Sequence, residues 1–446
     1  MITEIVFPSP LIAELKQALL ASEYERGAVL LTTPGPRYAE SVRAIVREVV
    51  LPEPDEVLSA SAYGLCLAPG LVSRVAKHAR SQKMGLGFIH THPGDPAPRF
   101  SAVDNEGERH LRAFLARRQL LDLPPVALVL SQHGVAAREL GTPRPLSVRE
   151  VGSTLRMLAS PKSPELAETT LFDRQIRAFG PAGQAMLQDL FVGVVGLGGT
   201  GSIVVEQLAR LGVRRFLLVD PDMVEESNLN RLAGAGVSDV GRPKVEVAQR
   251  AARSIRPDAA IHASVDTVIR KSVARGLAAT DVIFSCTDTH GSRAVLNQLA
   301  YQYLVPVIDM GIVIAGSVGR VDRIMGRVQM LAPGLGCLTC ERLLDPEAVR
   351  RDMATPLERL GDPYFLGEAA PQPAVMSLNS TVASLAVTMM LSAVVGVPVA
   401  ARMQLYDAVK GTVRAVTGAR DPECIVCSAR GALARGDLWS LAARSD

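Results

Sequence analysis

LFVGVVGLGGTGSIVVEQLARLGVRRFLLVDPD, residues 190–222, runs from an apolar stretch through a glycine cluster into an amphipathic segment and on into a second apolar run. That order predicts a buried strand, a tight turn, a helix and a second strand, which is a mononucleotide-binding βαβ unit. Gly196, Gly198 and Gly201 stand in G-x-G-x-x-G spacing, with Gly199 inside the turn. Glycines there let a phosphate approach the helix N-terminus, where free N–H groups and the helix dipole favour an anion. Asp220 ends the second strand, where it can accept hydrogen bonds from ribose hydroxyls, and Asp222 is near enough to share that role. By itself the turn suits a dinucleotide and ATP equally. Further strand-like runs, AAIHASVDTV, DVIFSCTD and VPVIDMGIV, extend the unit into a parallel α/β domain.

Residues beyond the turn separate the two ligands. VDPDMVEESNLNR places Asn228 and Arg231 soon after the acid, GRPK brings Lys244, and SCTDTHGSR ends a buried strand with Asp288. Two fixed cations and an amide suit a triphosphate, and a carboxylate suits its Mg²⁺. Hydride transfer needs none of these. In this order the residues resemble the ThiF and MoeB-like adenylyltransferases, the family that includes ubiquitin-activating enzymes. The matching positions are Arg174 and Gln175 in FDRQIRAFG, the glycine loop, Asp220, SNLNR, Lys244, CTD at 286–288 and two C-x-x-C pairs. The resemblance implies a Rossmann-like domain with a parallel-rich sheet, in which a protein's C-terminal Gly-Gly carboxylate attacks the α-phosphate of ATP. It further implies that Arg231, Lys244 and Arg174 stabilise phosphate charge, that Asp288 positions Mg²⁺, and that Arg174 reaches across a homodimer. Arg293 and Asn297, on the helix after CTD, stand behind these groups.

Cys337/Cys340 and Cys424/Cys427 offer four thiolates in two chelating turns, the ligand set of a closed structural zinc site. Residues 341–423 contain no cysteine. Relatives that carry the acyl group on sulfur have one there, so adenylation is expected without a thioester to this chain. Cys286 reads as a small buried filler, and Cys66 lies in the other domain.

Upstream, GFIHTHPGDPAPRFSAVDNE (87–106) puts His90 and His92 two apart on a predicted strand, where both imidazoles face one point. A proline and glycine turn follows, then Ser101 and Asp104 in a helix-capping pattern. A capped helix would hold Asp104 stiffly as a third ligand and leave a fourth metal position open. These residues resemble the JAMM (MPN+) zinc isopeptidases, whose motif is a distant glutamate, H-[ST]-H-P and S-x-x-D; the loop here is one residue longer. YERGAVLL resembles the start of that family's first core strand, which selects Glu25 over Glu23. The resemblance implies zinc held by His90, His92 and Asp104, Glu25 as general base, and Ser101 as donor to the oxyanion. His78, His110 and His133 lack such spacing.

A chain of 446 residues exceeds one ordinary core. The expected fold class is α/β: a JAB/MPN metalloprotease domain over 1–145, a Pro- and Ser-rich linker with a short helical interlude over 146–165, and the ThiF-like domain over 166–446. The net charge of +3 gives no reason to expect nucleic acid. The opening MITEIVFPSPLIAELKQ has acids and a proline where a signal peptide needs a basic start, so a cytoplasmic location is expected. Residues 369–401 carry no charge, but Pro371, Pro373 and Asn379 interrupt them, and they read as a buried helix rather than a membrane span. The combined expectation is an enzyme that uses Zn²⁺, ATP and Mg²⁺ on a ubiquitin-like or sulfur-carrier protein ending in Gly-Gly, trimming or releasing it and adenylating its carboxylate. The rivals are an NAD-dependent oxidoreductase with an accessory domain and a silent scaffold for a ubiquitin-like partner.

Overall fold

The computed structural model describes residues 1–38, 41–117, 123–161, 170–355 and 373–446. It divides into two compact units. The first comprises Met1–Ser163 with Gln302–Leu304 and Ala432–Ser440; the second takes the remainder.

In the first unit, strands β1 (Ile2–Pro8), β2 (Gly27–Tyr38), β3 (Ser41–Val50), β6 (Gly85–Thr91), β7 (Val126–Ser131), β8 (Gly134–Glu139), β9 (Ser147–Val151) and β10 (Leu155–Ala159) form one mixed sheet. Its order is β10-β9-β1-β3-β2-β6-β7-β8, and β4 (Val57–Ser61) and β5 (Gly64–Leu67) make a separate hairpin. Strand alternation assigns β2 to two cores at once. Ala28 and Leu30 join the cluster under helix α1 (Ser9–Leu19), while Val29 and Leu31 pack with α2 (Pro69–Ser81) and α3 (Ala102–Arg117). Burial on both faces explains the continuous apolar runs of GAVLL and VALVL.

The linker expectation is corrected here. Residues 147–151 and 155–159 are strands, and β9 pairs in parallel with β1 through Ile5↔Val148. Val148 is fully buried, whereas β10 is an edge strand that exposes Arg156 and Met157. The rest of the expected linker, 162–165, and the first residues of the expected second domain, 166–169, lie outside the described residues. A second difference is that 432–440 belong to the first unit. There Thr33 Oγ1 donates to Ala434 O at 2.8 Å, Arg47 Nη1 to Leu433 O at 2.7 Å, and Gln302 Nε2 to Gly436 O at 2.8 Å.

The second unit is built on β11 (Phe191–Val195), β12 (Arg215–Val219), β13 (Ala260–Ser264), β14 (Val282–Ser285), β15 (Val307–Ser317), β16 (Arg320–Leu331), β17 (Met403–Asp407) and β18 (Thr412–Ala415). The order is β13-β12-β11-β14-β15-β16-β17-β18, parallel through β15 and antiparallel beyond it. Among the described residues the helices are α4 (Asp173–Asp189), α5 (Gly201–Arg210), α6 (Lys244–Ile255), α7 (Lys271–Leu277), α8 (His290–Gln302), α9 (Pro346–Met353) and α10 (Met376–Val395). From β11 the chain moves to β12 and β13 on one side and returns to β14 on the other. This is a topological switch point, where ligands bind beyond the strand carboxyl ends.

Residues 376–395 of the uncharged stretch form α10, which is long and apolar enough to cross a membrane. Val382, Ala383, Ala386, Met389 and Met390 are buried, and the helix packs on α4, α5, β15 and β16. Pro371 lies outside the described residues.

Candidate functional site

The first unit gathers the histidine motif. His90 and His92 lie on and just past β6, with Nε2 atoms 3.2 Å apart. Asp104 sits in the first turn of α3, where Ser101 N donates to its Oδ2 at 2.6 Å and Asp104 N donates to Ser101 Oγ at 3.1 Å. So fixed, its Oδ1 lies 3.0 Å from His90 Nε2 and its Oδ2 lies 3.4 Å from His92 Nε2, and Glu25 converges on the same two histidines. Three ligands of a tetrahedral ion with bonds of about 2.0–2.2 Å stand roughly 3.3–3.6 Å apart, so these residues fit zinc.

Glu25 arrives by strand pairing. β2 runs antiparallel to β6 with Gly27 opposite His90, and Arg26 N donates to Thr91 Oγ1 at 2.9 Å. This places Glu25 Oε1 3.7 Å from His92 Nε2, buried, whereas Glu23 is exposed. Burial pushes the Glu25 carboxyl up; the neighbouring His90 and His92 oppose this and the Asp104 charge adds to it. Burial also acts to raise Asp104, but the hydrogen bond and charge of His90 and the Ser101 bonds hold it well below the usual carboxylate range. The two carboxyls are thus shifted in opposite directions, Glu25 up and Asp104 down. Asp95, which the sequence reading did not single out, faces the other ring nitrogen of His92 at 3.3 Å. Its signal was an acid in the turn directly after the motif. His78, His110 and His133 are exposed elsewhere.

The second unit holds a cavity of about 670 Å³ at the switch point. Gly196, Gly198 and Gly199 line it with Asp220, Asp222, Asn228, Arg231, Lys244 and Asp288. Gly201 does not reach the cavity; a Cβ there would overlap the Gly196 carbonyl oxygen, so its role is close packing of α5 against β11. Asp220 is buried and accepts from Leu197 N at 2.6 Å and Asp222 N at 2.8 Å. Burial raises its pKa, against those two N–H groups and Lys244. It therefore holds the glycine loop as well as lining the cavity. Lys244 Nζ rests on Asp222 Oδ2 at 2.8 Å. Arg231 is anchored by Nη1 to Ser227 O at 2.6 Å, and Asn228 is buried beside it.

Arg174 stands apart from this group: it is exposed on α4 and does not line the cavity. Asn379 of α10, noted in the sequence only as an interruption, is buried against the glycine loop and lines the cavity. A lone amide in an uncharged run was its signal. Asn297 is turned away; its Oδ1 accepts from Leu338 N at 2.9 Å and its Nδ2 donates to Thr339 Oγ1 at 3.2 Å.

The loop held by Asn297 carries the first cysteine pair. Cys337, Cys340, Cys424 and Cys427 converge, with Sγ separations of 3.4 and 3.6 Å. Hydrogen bonding, from Cys427 first, draws the Cys337 thiol down, while Cys427 is pushed up by its neighbours and by burial. Four such thiols cannot all ionise without a cation among them, so the donor set fits structural zinc. Cys286 is different: burial pushes its thiol up, which leaves it a poor nucleophile.

Comparison with known proteins places residues 172–426 within the sequence profile of the ThiF family. The chain is 29% identical over 254 residues to the SAMP-activating enzyme E1 of Haloferax volcanii, covering 56% of this chain and 85% of that one. It is 31% identical over 265 residues to the molybdopterin-synthase adenylyltransferase of Escherichia coli, covering 58% of this chain and 96% of the relative. The sulfur carrier protein adenylyltransferase of Thermus thermophilus is 29% identical over 253 residues, 56% of this chain and 86% of that one.

Proposed function

The chain belongs to the ThiF family, and from that premise we propose that it adenylates the C-terminal carboxylate of a ubiquitin-like or sulfur-carrier protein ending in Gly-Gly, with ATP and Mg²⁺. The observation that carries the reading is the convergence of Asn228, Arg231, Lys244 and Asp288 on the glycine loop in one cavity. Relatives named for activating such carriers support the same substrate class. A carboxylate oxygen bonds to the α-phosphorus as the bond to the β-phosphate oxygen breaks, and pyrophosphate leaves with the electron pair. Arg231 and Lys244 balance charge on the phosphates, and Lys244 leaves Asp222 to do so. Asp288 would hold Mg²⁺. Arg174, exposed and outside the cavity lining, acts in this reading from a second copy across a homodimer.

The second activity proposed is hydrolysis after Gly-Gly by the first unit, as precursor trimming or as release from targets. It rests on the convergence of His90, His92 and Asp104 beside the buried Glu25. Zinc held there would supply Lewis acidity and an ionisable water. Glu25 takes the proton from the attacking water and delivers it to the leaving amine. Ser101 spends its oxygen lone pair on Asp104 N, which leaves its O–H free to donate to the oxyanion. Because 341–423 holds no cysteine and Cys286 is held protonated, the acyl group passes to an external nucleophile.

The test is incubation with ATP, Mg²⁺ and a tailed ubiquitin-like protein, read by mass spectrometry. Tail loss that persists in His92→Ala, or an adenylate that persists in Lys244→Ala with Asp288→Ala, counts against these assignments.

A further inference from the structure

Asp309 is a fully buried carboxylate on β15 that neither proposed activity uses. Opposite it in register, Ser285 donates its hydroxyl to Oδ1 at 2.7 Å. Two guanidinium groups share it. Arg327 of β16 pairs with Oδ2, and Arg293 of α8 brings Nε to 3.4 Å from Oδ1. Arg293 also donates Nη2 to Met310 O at 3.3 Å and lies over Gly311, where a Cβ would come within 2.9 Å of Nη2. Of the two arginines only Arg293 lines the cavity. Two cations against one carboxylate leave one positive charge, and Arg293 keeps its Nη1 donors without a hydrogen-bond partner among the described residues.

A buried ion pair contributes little net stability, and its clearest use is to fix geometry. The geometry here has a direction. Along the carboxyl edge of the sheet, Asp220 follows β12, the glycine loop follows β11, Asp288 follows β14, and Arg293 over Gly311 marks β15. Of the groups assigned to the phosphates, Asn228, Arg231 and Lys244 come from the segment after β12, the glycine loop follows β11, and Arg174 comes from a second copy. Attacking and leaving oxygens stand in line at phosphorus. The incoming carboxylate therefore approaches from the side away from these groups, where β15 lies.

We propose that Arg293 receives the terminal carboxylate of the incoming chain before it attacks the α-phosphate, and that Asp309 is the positioning residue that holds Arg293 across Gly311. The assignment rests on the adenylation reading. It accounts for a glycine at 311, for a buried acid facing two arginines, and for a cation on the cavity wall away from the phosphate groups.

The experiment uses the full chain, a ubiquitin-like sulfur carrier ending in Gly-Gly, and the same carrier ending in a carboxamide. ATP–pyrophosphate exchange is measured first, then the affinity of each carrier in the presence of a non-hydrolysable ATP analogue. Wild type is expected to prefer the acid by about 10- to 100-fold, the scale of a charge-assisted hydrogen bond. Arg293→Gln and Asp309→Asn are expected to reduce that preference to about threefold or less, with affinity for the analogue held within about twofold. A merely structural role would lower affinity for both carriers and the analogue together. If Asp309→Asn fails to fold, Arg293→Gln and Arg293→Lys decide the matter. A preference that survives in the Arg293 variants, or analogue affinity that falls in parallel, overturns the assignment while exchange in wild type leaves adenylation standing. Absence of exchange in wild type overturns adenylation and this assignment with it.

Discussion

At His92 one ring nitrogen faces Glu25 and Asp104, and the other faces Asp95. An outer carboxylate of this kind fixes the tautomer and orientation of a metal-bound imidazole. Asp95→Ala is therefore expected to weaken zinc retention about 10- to 100-fold with the fold intact, read by competition with a chromogenic chelator. Glu25→Gln should retain zinc and lose tail cleavage by about 10²–10⁴-fold, because it keeps the shape and removes the base. Zinc lost together with activity would make Glu25 a ligand instead. The sequence was informative here to the extent that the rules are local. Alternation on a strand brought His90 and His92 together, and capping held Asp104. Glu25 was reached only through the family resemblance of YERGAVLL, because its approach depends on the register between β2 and β6, 65 residues distant through the Arg26–Thr91 bond, which spacing alone does not contain. The Asp309 network was illegible for the same reason, since its members lie on β14, β15, β16 and α8.

Among the elements, α5 depends on how closely it approaches β11. Gly196 has φ +86°, which a side chain rarely adopts, and Gly201 has no room for a Cβ beneath the Gly196 carbonyl. Gly201→Ala must push α5 off the strand, at a cost of about 1–3 kcal/mol for overpacking, and so must displace the loop from the phosphate. A lowered melting temperature together with lost ATP binding is expected; ATP binding at wild-type level would show that the loop tolerates the shift. The cysteine cluster acts at the same scale. With zinc held there, its removal would leave four crowded thiols with no cation, so a strong chelator is expected to lower the melting temperature, and Cys340→Ser to do so without chelator. Strand and helix types were mostly legible because apolar period carried them. β9 and β10 were not: each is only five residues long, too short for a clear period, and the Pro, Ser and charged residues around them resemble a linker. α10 was recognisable as a buried helix, yet Asn379 showed its purpose only once the helix lay against the glycine loop.

For the whole molecule, the two sites share no residue: the zinc-fitting group belongs to the first unit and the nucleotide cavity to the second. Their chemistry can still be ordered by substrate, because adenylation needs a free Gly-Gly carboxylate and a tailed precursor lacks one. If the first unit trims precursors, Glu25→Gln should abolish adenylation of a tailed carrier and leave adenylation of the same carrier, supplied already ending in Gly-Gly, at the wild-type rate. Lys244→Ala should do the converse, cutting adenylation by about 10²–10³-fold, the scale for removing one preorganised charge donor, with tail cleavage unaffected. Intact-mass spectra of both carriers with both variants give all four outcomes in one experiment. A Glu25→Gln enzyme that still adenylates the tailed carrier would mean that the tail is no barrier. A wild-type enzyme that leaves the tail in place but cleaves a carrier–lysine isopeptide bond would assign the first unit to release rather than trimming.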